Sequence, residues 1–244
     1  MGWNMENRKS LLNLSSIDII QNLTIRIPTV GEILEDEQKY YGIVSTLTAT
    51  PFQYMVQLDD MGIDYTTITD YELFKMLFPM YAQTDLSILF GDLNTSDFNI
   101  YIDKKDDAQV IYSPNNNIVI DELVYNDLSE TIRKINLFEK VNSKPGNETA
   151  RKYLLRKERK KQKKNANKPY EPYLEKLVIA LVNTSEFPYD YDSCMNLSIY
   201  RFNQSFKQIQ QKISFDNTMI GVYAGTVDTS KMTNKDCLSW ISNK

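Results

Sequence analysis

Eighteen consecutive residues, Arg151 to Lys168 (RKYLLRKERKKQKKNANK), hold ten of the 28 lysines and arginines and a single acid, Glu158. The segment carries +9, whereas the other 226 residues set 18 basic side chains against 31 acidic ones, a net of −13. A run of one charge sign this dense stays in water, because an unpaired buried charge is prohibitively costly. It therefore divides the chain into two acidic, apolar-patterned parts joined by a basic strip.

The part before the strip opens with residues 1–25, polar with short apolar patches, which are expected to be loosely ordered. Thr29 and Glu32 have capping-box spacing and open a short helix at Val30. From Glu37 to Thr48 the apolar residues Tyr40, Ile43, Val44 and Leu47 fall on one face of a helix. Thr50 followed by Pro51 reads as an N-cap and first helical position, with Gly62 as the stop. A third helix starts at Thr69 or Asp70, buries Leu73, Phe74, Leu77 and Phe78, and is expected to end at Pro79.

The period then changes. Phe98, Ile100 and Ile102 alternate with polar or aromatic residues, and Val110–Tyr112 and Ile118–Ile120 follow across turn residues. This predicts two or three short antiparallel strands. A helix from Asp121 to about Leu137 turns Val124, Leu128, Ile132 and Ile135 inward, and Lys144–Pro145–Gly146 mark a boundary.

Beyond the strip, Tyr173 to Leu181 reads as a helix. The longest clean pattern comes next: Ile199, Phe202, Phe206, Ile209 and Ile213 step by three and four residues. Their period is close to 3.5, that of a seam laid against another helix. Such a seam packs either inside a C-terminal helical module or against a partner. Gly221 to Gly225 reads as a glycine-punctuated loop, and a last short helix holds Leu238, Trp240 and Ile241.

The predicted fold class is α+β, mainly α. It comprises a loosely ordered segment 1–25, a helical domain 26–143 with a small antiparallel hairpin or meander, a basic linker 144–170, and a C-terminal helical module 171–244.

The residues that are missing bear on function. There is no histidine, which removes Ser–His–Asp and Cys–His nucleophilic systems and every histidine-dependent metal site. Two cysteines, Cys194 and Cys237, cannot supply a four-ligand metal site and are expected to be free thiols. Neither a GxGxxG nor a GxxxxGK[ST] loop is present to cradle phosphates. The acidic groups Asp59–Asp60–Asp64, Asp103–Asp106–Asp107 and Asp190–Asp192 lack calcium-loop spacing and read as helix-end or turn carboxylates. The expectation is a protein with no catalytic residues, cofactor or metal, and no apolar run long enough to span a membrane. No secretion signal is read at the N-terminus.

The strip itself has three readings: a solvated, partly helical linker, a docking site for an acidic partner, or a phosphate-binding run through Arg156, Lys157, Arg159, Lys160, Lys161, Lys163 and Lys164. Only Tyr153 supplies an aromatic within it, and the acidic remainder repels a duplex, so nucleic acid is not the expected partner.

Two stretches carry a resemblance. They are IPTVGEILEDEQKYYGIVSTLTATPFQYMVQLDDMGIDYTTITDYELF, residues 27–74, and LSIYRFNQSFKQIQQKISFDNTMIGVYAGTVD, residues 197–228. Both resemble tail assembly chaperones of tailed phages infecting low-GC Gram-positive hosts. The resemblance implies a non-enzymatic protein that shields a long helical partner, the tape-measure protein, while tail-tube subunits assemble. It also implies residence in the host cytoplasm during assembly, with self-association through the N-terminal cluster. The partner-binding residues would be Ile199, Phe202, Phe206, Ile209 and Ile213. The length of this chain, its β-containing middle and its basic strip fit a structural component of the virion tail or baseplate equally well. A nucleic-acid-binding accessory protein is the third reading.

Overall fold

A computed structural model of the chain describes residues 10–103, 107–233 and 235–241. A hairpin after the 3-10 turn at Leu11–Asn13 corrects the expectation of a loosely ordered segment 1–25. Strands β1 (Ser16–Ile20) and β2 (Leu23–Arg26) form an antiparallel hairpin in which Ile17 faces Ile25 and Asp18 faces Thr24. The alternation is only two residues deep on β2, yet Leu23 and Ile25 are both fully buried. Two such side chains each contribute about 2 kcal/mol by leaving water, enough to anchor a segment too short to show a period. Residues 1–9 lie outside the described residues.

Helices α1 (Val30–Glu35) and α2 (Glu37–Leu47) follow, α1 behind the capping box read from Thr29 and Glu32. Tyr40, Ile43, Val44 and Leu47 are buried on α2, as their spacing required. Thr50 and Pro51 do not begin a helix. They form a turn closed by the Gln53 side chain on the Thr50 amide, and α3 covers only Met55–Asp60. Gly62, at φ +75°, ends that turn of chain as expected.

Helix α4 (Asp70–Tyr81) has a second capping box, Thr69 with Glu72. It runs through Pro79 instead of stopping there. The missing amide falls in the last turn, and Ala82 still donates to the Phe78 carbonyl at 2.7 Å. Phe78 stacks on Phe74 and meets Phe98 edge-on, so stopping the helix at Pro79 would sacrifice buried aromatic area.

The short α5 (Ser87–Phe90) leads to strands β3 (Asn99–Ile102), β4 (Gln109–Ser113) and β5 (Ile118–Ile120), an antiparallel meander in that order. β4 and β5 supply buried Ile111, Ile118 and Ile120, whereas all four residues of β3 are exposed. The alternation of Ile100 and Ile102 thus marks an outer strand with neither face covered. Helix α6 (Glu122–Asn136) is capped by Asp121 and turns Leu128, Ile132 and Ile135 into the core. Its buried polar groups are matched: the Tyr40 hydroxyl donates to Asn136 Oδ1 at 2.8 Å, and Arg133 donates to the Thr48 carbonyl at 2.7 Å.

The expected basic linker is a helix over much of its length, α7 (Glu148–Asn165). Helices α8 (Leu174–Val182), α9 (Tyr191–Met195) and α10 (Ile199–Tyr223) complete the described elements, with a 3-10 turn at Asp236–Leu238 where a last short helix was expected. α10 continues through Gly221, which had been read as loop. A Cβ there would stand 2.6 Å from Val227 Cγ2, so the missing side chain makes room for the returning chain, and Gly225 at φ +71° is the residue that stops the helix.

One hydrophobic cluster crosses the expected divisions. It joins Leu23 and Val30 to Tyr40 and Phe74, to Leu128 and Ile132, and to Leu174, Leu181, Ile199 and Phe202. The chain at 28–30 and 197–199 is tied directly. The Val30 amide donates to Leu197 at 2.9 Å and the Ile199 amide to Pro28 at 2.8 Å. A second, smaller cluster gathers Met55, Val56, Leu58, Tyr65 and Leu73 with Leu155 of α7. A Glu37 carboxylate at the start of α2 holds the start of α8, accepting from the Tyr173 and Leu174 amides.

Candidate functional site

Helix α7 begins where Asn147 accepts the Ala150 amide, and Glu148 in the first turn with Lys163 and Lys164 in the last complement its dipole. Nine cations in the eighteen residues of this helix repel one another, so it needs support from outside its own length. Leu155, 6% exposed, plugs it into the second cluster. Around that plug the acidic group at the end of α3 supplies the counter-charge. Arg159 reaches Asp59 at 2.7 Å and Asp60 at 2.6 Å, and Arg151 reaches Asp64 at 3.1 Å while clasping Glu148 through Nε and a terminal nitrogen. The amide and hydroxyl of Thr66, with Arg151 beside them, hold the Asp64 carboxyl below the usual carboxylate range.

This docking divides the predicted anion-binding residues. Arg159 is spent on α3 and faces inward. Arg156, Lys157, Lys160, Lys161, Lys163 and Lys164 are exposed, and of these only Lys161 has a carboxylate within ion-pair distance among the described residues, Glu158 at 3.7 Å. The structure therefore separates a structural face, carrying Arg151, Leu155 and Arg159, from a wet face that keeps most of the charge.

The other candidate surface is α10. Ile199 and Phe202 are fully buried in the protein's own core, where Phe202 meets Phe187 edge-on at 6.2 Å. This corrects their assignment as partner-binding residues: the seam starts as internal packing. Phe206 is half-buried, Ile209 is 9% exposed and Ile213 is 42% exposed. Past Ile209 no described residue is buried at all.

The heptad step nevertheless continues. Positions 199, 206, 213 and 220 are Ile, Phe, Ile and Ile, and positions 202, 209, 216 and 223 are Phe, Ile, Asp and Tyr. Ile220 and Tyr223 are 68% and 83% exposed, so one apolar seam is filled along its first half and open along its second. The C-terminal chain folds back beside it, with Gln208 donating to the Trp240 carbonyl and Gln211 to that of Asp236, both at 2.6 Å. Trp240 and Ile241 add exposed apolar area there. The apolar spacing predicted from the sequence stops at Ile213; beyond it Asp216 breaks the pattern and Gly221 reads as loop.

The remaining acidic groups are local. Asp190 caps α9, Asp192 lies in its first turn, and Asp106 lies outside the described residues. Cys194 is a buried free thiol, and Cys237 is half-buried. Among the described residues no set of three His, Cys, Asp or Glu side chains is grouped to hold a metal ion, and no helix is long and apolar enough to cross a membrane. A cleft of about 270 Å³ lies between Phe52, Tyr65 and Thr69 on one side and Lys140 and Lys144 on the other, and is bridged by the Lys140–Asp70 ion pair.

These surfaces belong to an α+β, mainly α, chain with a docked basic helix and a half-open apolar seam. Residues 160–244, spanning the end of α7 through α10 and the returning C-terminal chain, match the family model described as the YomV second domain. YomV is a phage-derived Bacillus protein, and the match suggests a phage protein. No curated protein and no solved structure gives a significant match to the chain.

Proposed function

We propose that this protein acts without chemistry of its own, as a phage tail assembly chaperone that binds the helical tape-measure protein during tail morphogenesis. The observation that carries the reading is the open second half of the α10 seam. Ile213, Ile220 and Tyr223 are presented at heptad spacing on a helix whose first half is locked into the core. Recognition is helix against helix: apolar anchors at heptad-seam positions enter the grooves of a partner, and the rigid base of α10 lowers the ordering cost of binding. The match of this region to a phage-derived domain supports the setting, and the resemblance of residues 27–74 and 197–228 to tail assembly chaperones supports the role.

Co-expression with the tape-measure product of the same phage, followed by pull-down, tests the proposal. Retention of the wild-type chain and its loss in an I213D/I220D variant are expected. No retention of the wild-type chain overturns it. Mass spectrometry of purified particles separates a chaperone, absent from finished virions, from a permanent tail or baseplate component.

A further inference from the structure

The docking of α7 leaves a second surface that the seam does not involve. At 100° per residue, Tyr153, Arg156, Lys157, Lys160 and Lys164 fall within an arc of about 100° on the side opposite Leu155, with Lys161 and Lys163 flanking it. The basic stretch from Arg156 to Lys164 covers about 12 Å of helix axis. Tyr153 is 64% exposed at its N-terminal end, an aromatic ring kept in water where burial beside Leu154 and Leu155 lay one position away.

We infer that this face of α7 binds single-stranded nucleic acid without sequence preference, through phosphate contacts from Arg156, Lys157, Lys160, Lys163 and Lys164 and stacking of a base on Tyr153. Three features favour this occupant. The counter-charges of Asp59, Asp60 and Asp64 are taken up by Arg159 and Arg151 on the inner face, so the outer cations are left to a polyanion. An acidic polypeptide would use the cations but would have no use for an exposed ring placed in line with them, whereas a base does. The net −13 elsewhere on the chain repels a stiff duplex lying along the surface, but a flexible strand can contact the ridge alone. The inference is independent of the chaperone reading, since it involves no residue of α10.

Fluorescence polarisation of a labelled oligothymidine of about twenty nucleotides, titrated with the full chain at several salt concentrations, is the test. Neutralising about five phosphates predicts a log–log salt slope near −3.5 for a single strand. The variant R156Q/K157Q/K160Q/K163Q/K164Q changes only exposed side chains, and unchanged circular dichroism verifies its fold. Its binding is expected to fall at least tenfold with a flattened slope. Tyr153→Ala should weaken binding by about five- to a hundredfold while leaving the slope intact. Failure of the wild-type chain to bind at low salt overturns the inference, as does binding indifferent to the five substitutions. Equal affinity for polyglutamate, unaffected by Tyr153→Ala, also overturns it and reassigns the ridge to acidic protein.

Discussion

The Tyr170 hydroxyl donates to Glu37 Oε1 at 2.8 Å across 133 residues of sequence. The same oxygen accepts the Tyr173 amide at 2.8 Å and the Leu174 amide at 3.1 Å, so a carboxylate from α2 caps α8, which has no side-chain cap of its own. Its other oxygen, Oε2, is buried with no partner among the described residues. Replacing Glu37 by Ala orphans two amides and a hydroxyl together and should cost about 2–3 kcal/mol, read as a lowered urea midpoint.

This clasp carries a pH signature. Burial alone would raise the Glu37 carboxyl, but donation from Leu174, Tyr173 and Tyr170 outweighs it and holds the carboxyl below the ordinary glutamate value. The contribution is therefore complete above that ordinary value and is lost as pH falls through the lower value of the folded state. Urea midpoints measured between neutral pH and about pH 3 should decline less in Glu37→Gln than in the wild-type chain.

The two halves of the α10 seam should respond oppositely to substitution. Phe202→Ala empties a fully buried site and is expected to cost about 3–5 kcal/mol. Ile220→Asp changes a 68% exposed side chain and should alter stability by no more than about 0.5 kcal/mol, because most of it is already in water. Paired urea unfolding and partner pull-downs check the division: loss of stability without exposure-dependent binding upstream, loss of binding without loss of stability downstream.

Docking of α7 is expected to rest on Leu155 more than on its ion pairs. Leu155→Ala should cost about 2–3 kcal/mol and raise amide exchange along 148–165. Arg159→Ala removes a half-exposed pair, so its effect should be smaller and should fade as salt rises. Amide exchange by mass spectrometry at low and high salt distinguishes the two variants.

Gly91 lies at φ +62°, ψ −132°, a region that residues with a Cβ rarely enter, and a Cβ there would meet Arg26 Cδ at 3.3 Å. Gly91→Ala is expected to destabilise by about 1–3 kcal/mol and to loosen the Arg26–Glu32 ion pair. Thermal unfolding compared with Gly62→Ala, which has a positive φ but open space around it, isolates the steric part.

Elements with both a period and a cap were legible in the sequence. The Thr29–Glu32 box, the helix start at Thr69 or Asp70, the stripe from Tyr40 to Leu47 and the inward face of α6 all depend on contacts within four residues. The N-terminal hairpin was not legible, since Leu23 and Ile25 are buried in a cluster shared with residues from distant parts of the chain, which no local pattern encodes. Likewise the composition of α7 announced charge but not which face docks: Asp59 and Asp60 lie about a hundred residues upstream, and only the folded chain brings them to Arg159. Tertiary context also overrode two breakers, Pro79 and Gly221: aromatic packing carries the helix through the first, and the close approach of the Val227 side chain accounts for the second.

The bridge between Thr29 and Ser198 makes one strand-like contact out of the residues that open α1 and α10. During synthesis α1 leaves the ribosome long before Ser198 does, so the face it turns to α9 and Leu197 must wait uncovered for most of translation. Final closure belongs to the last fifth of the chain, and a truncation before α10 should yield a sticky, incompletely collapsed product in place of a smaller folded one.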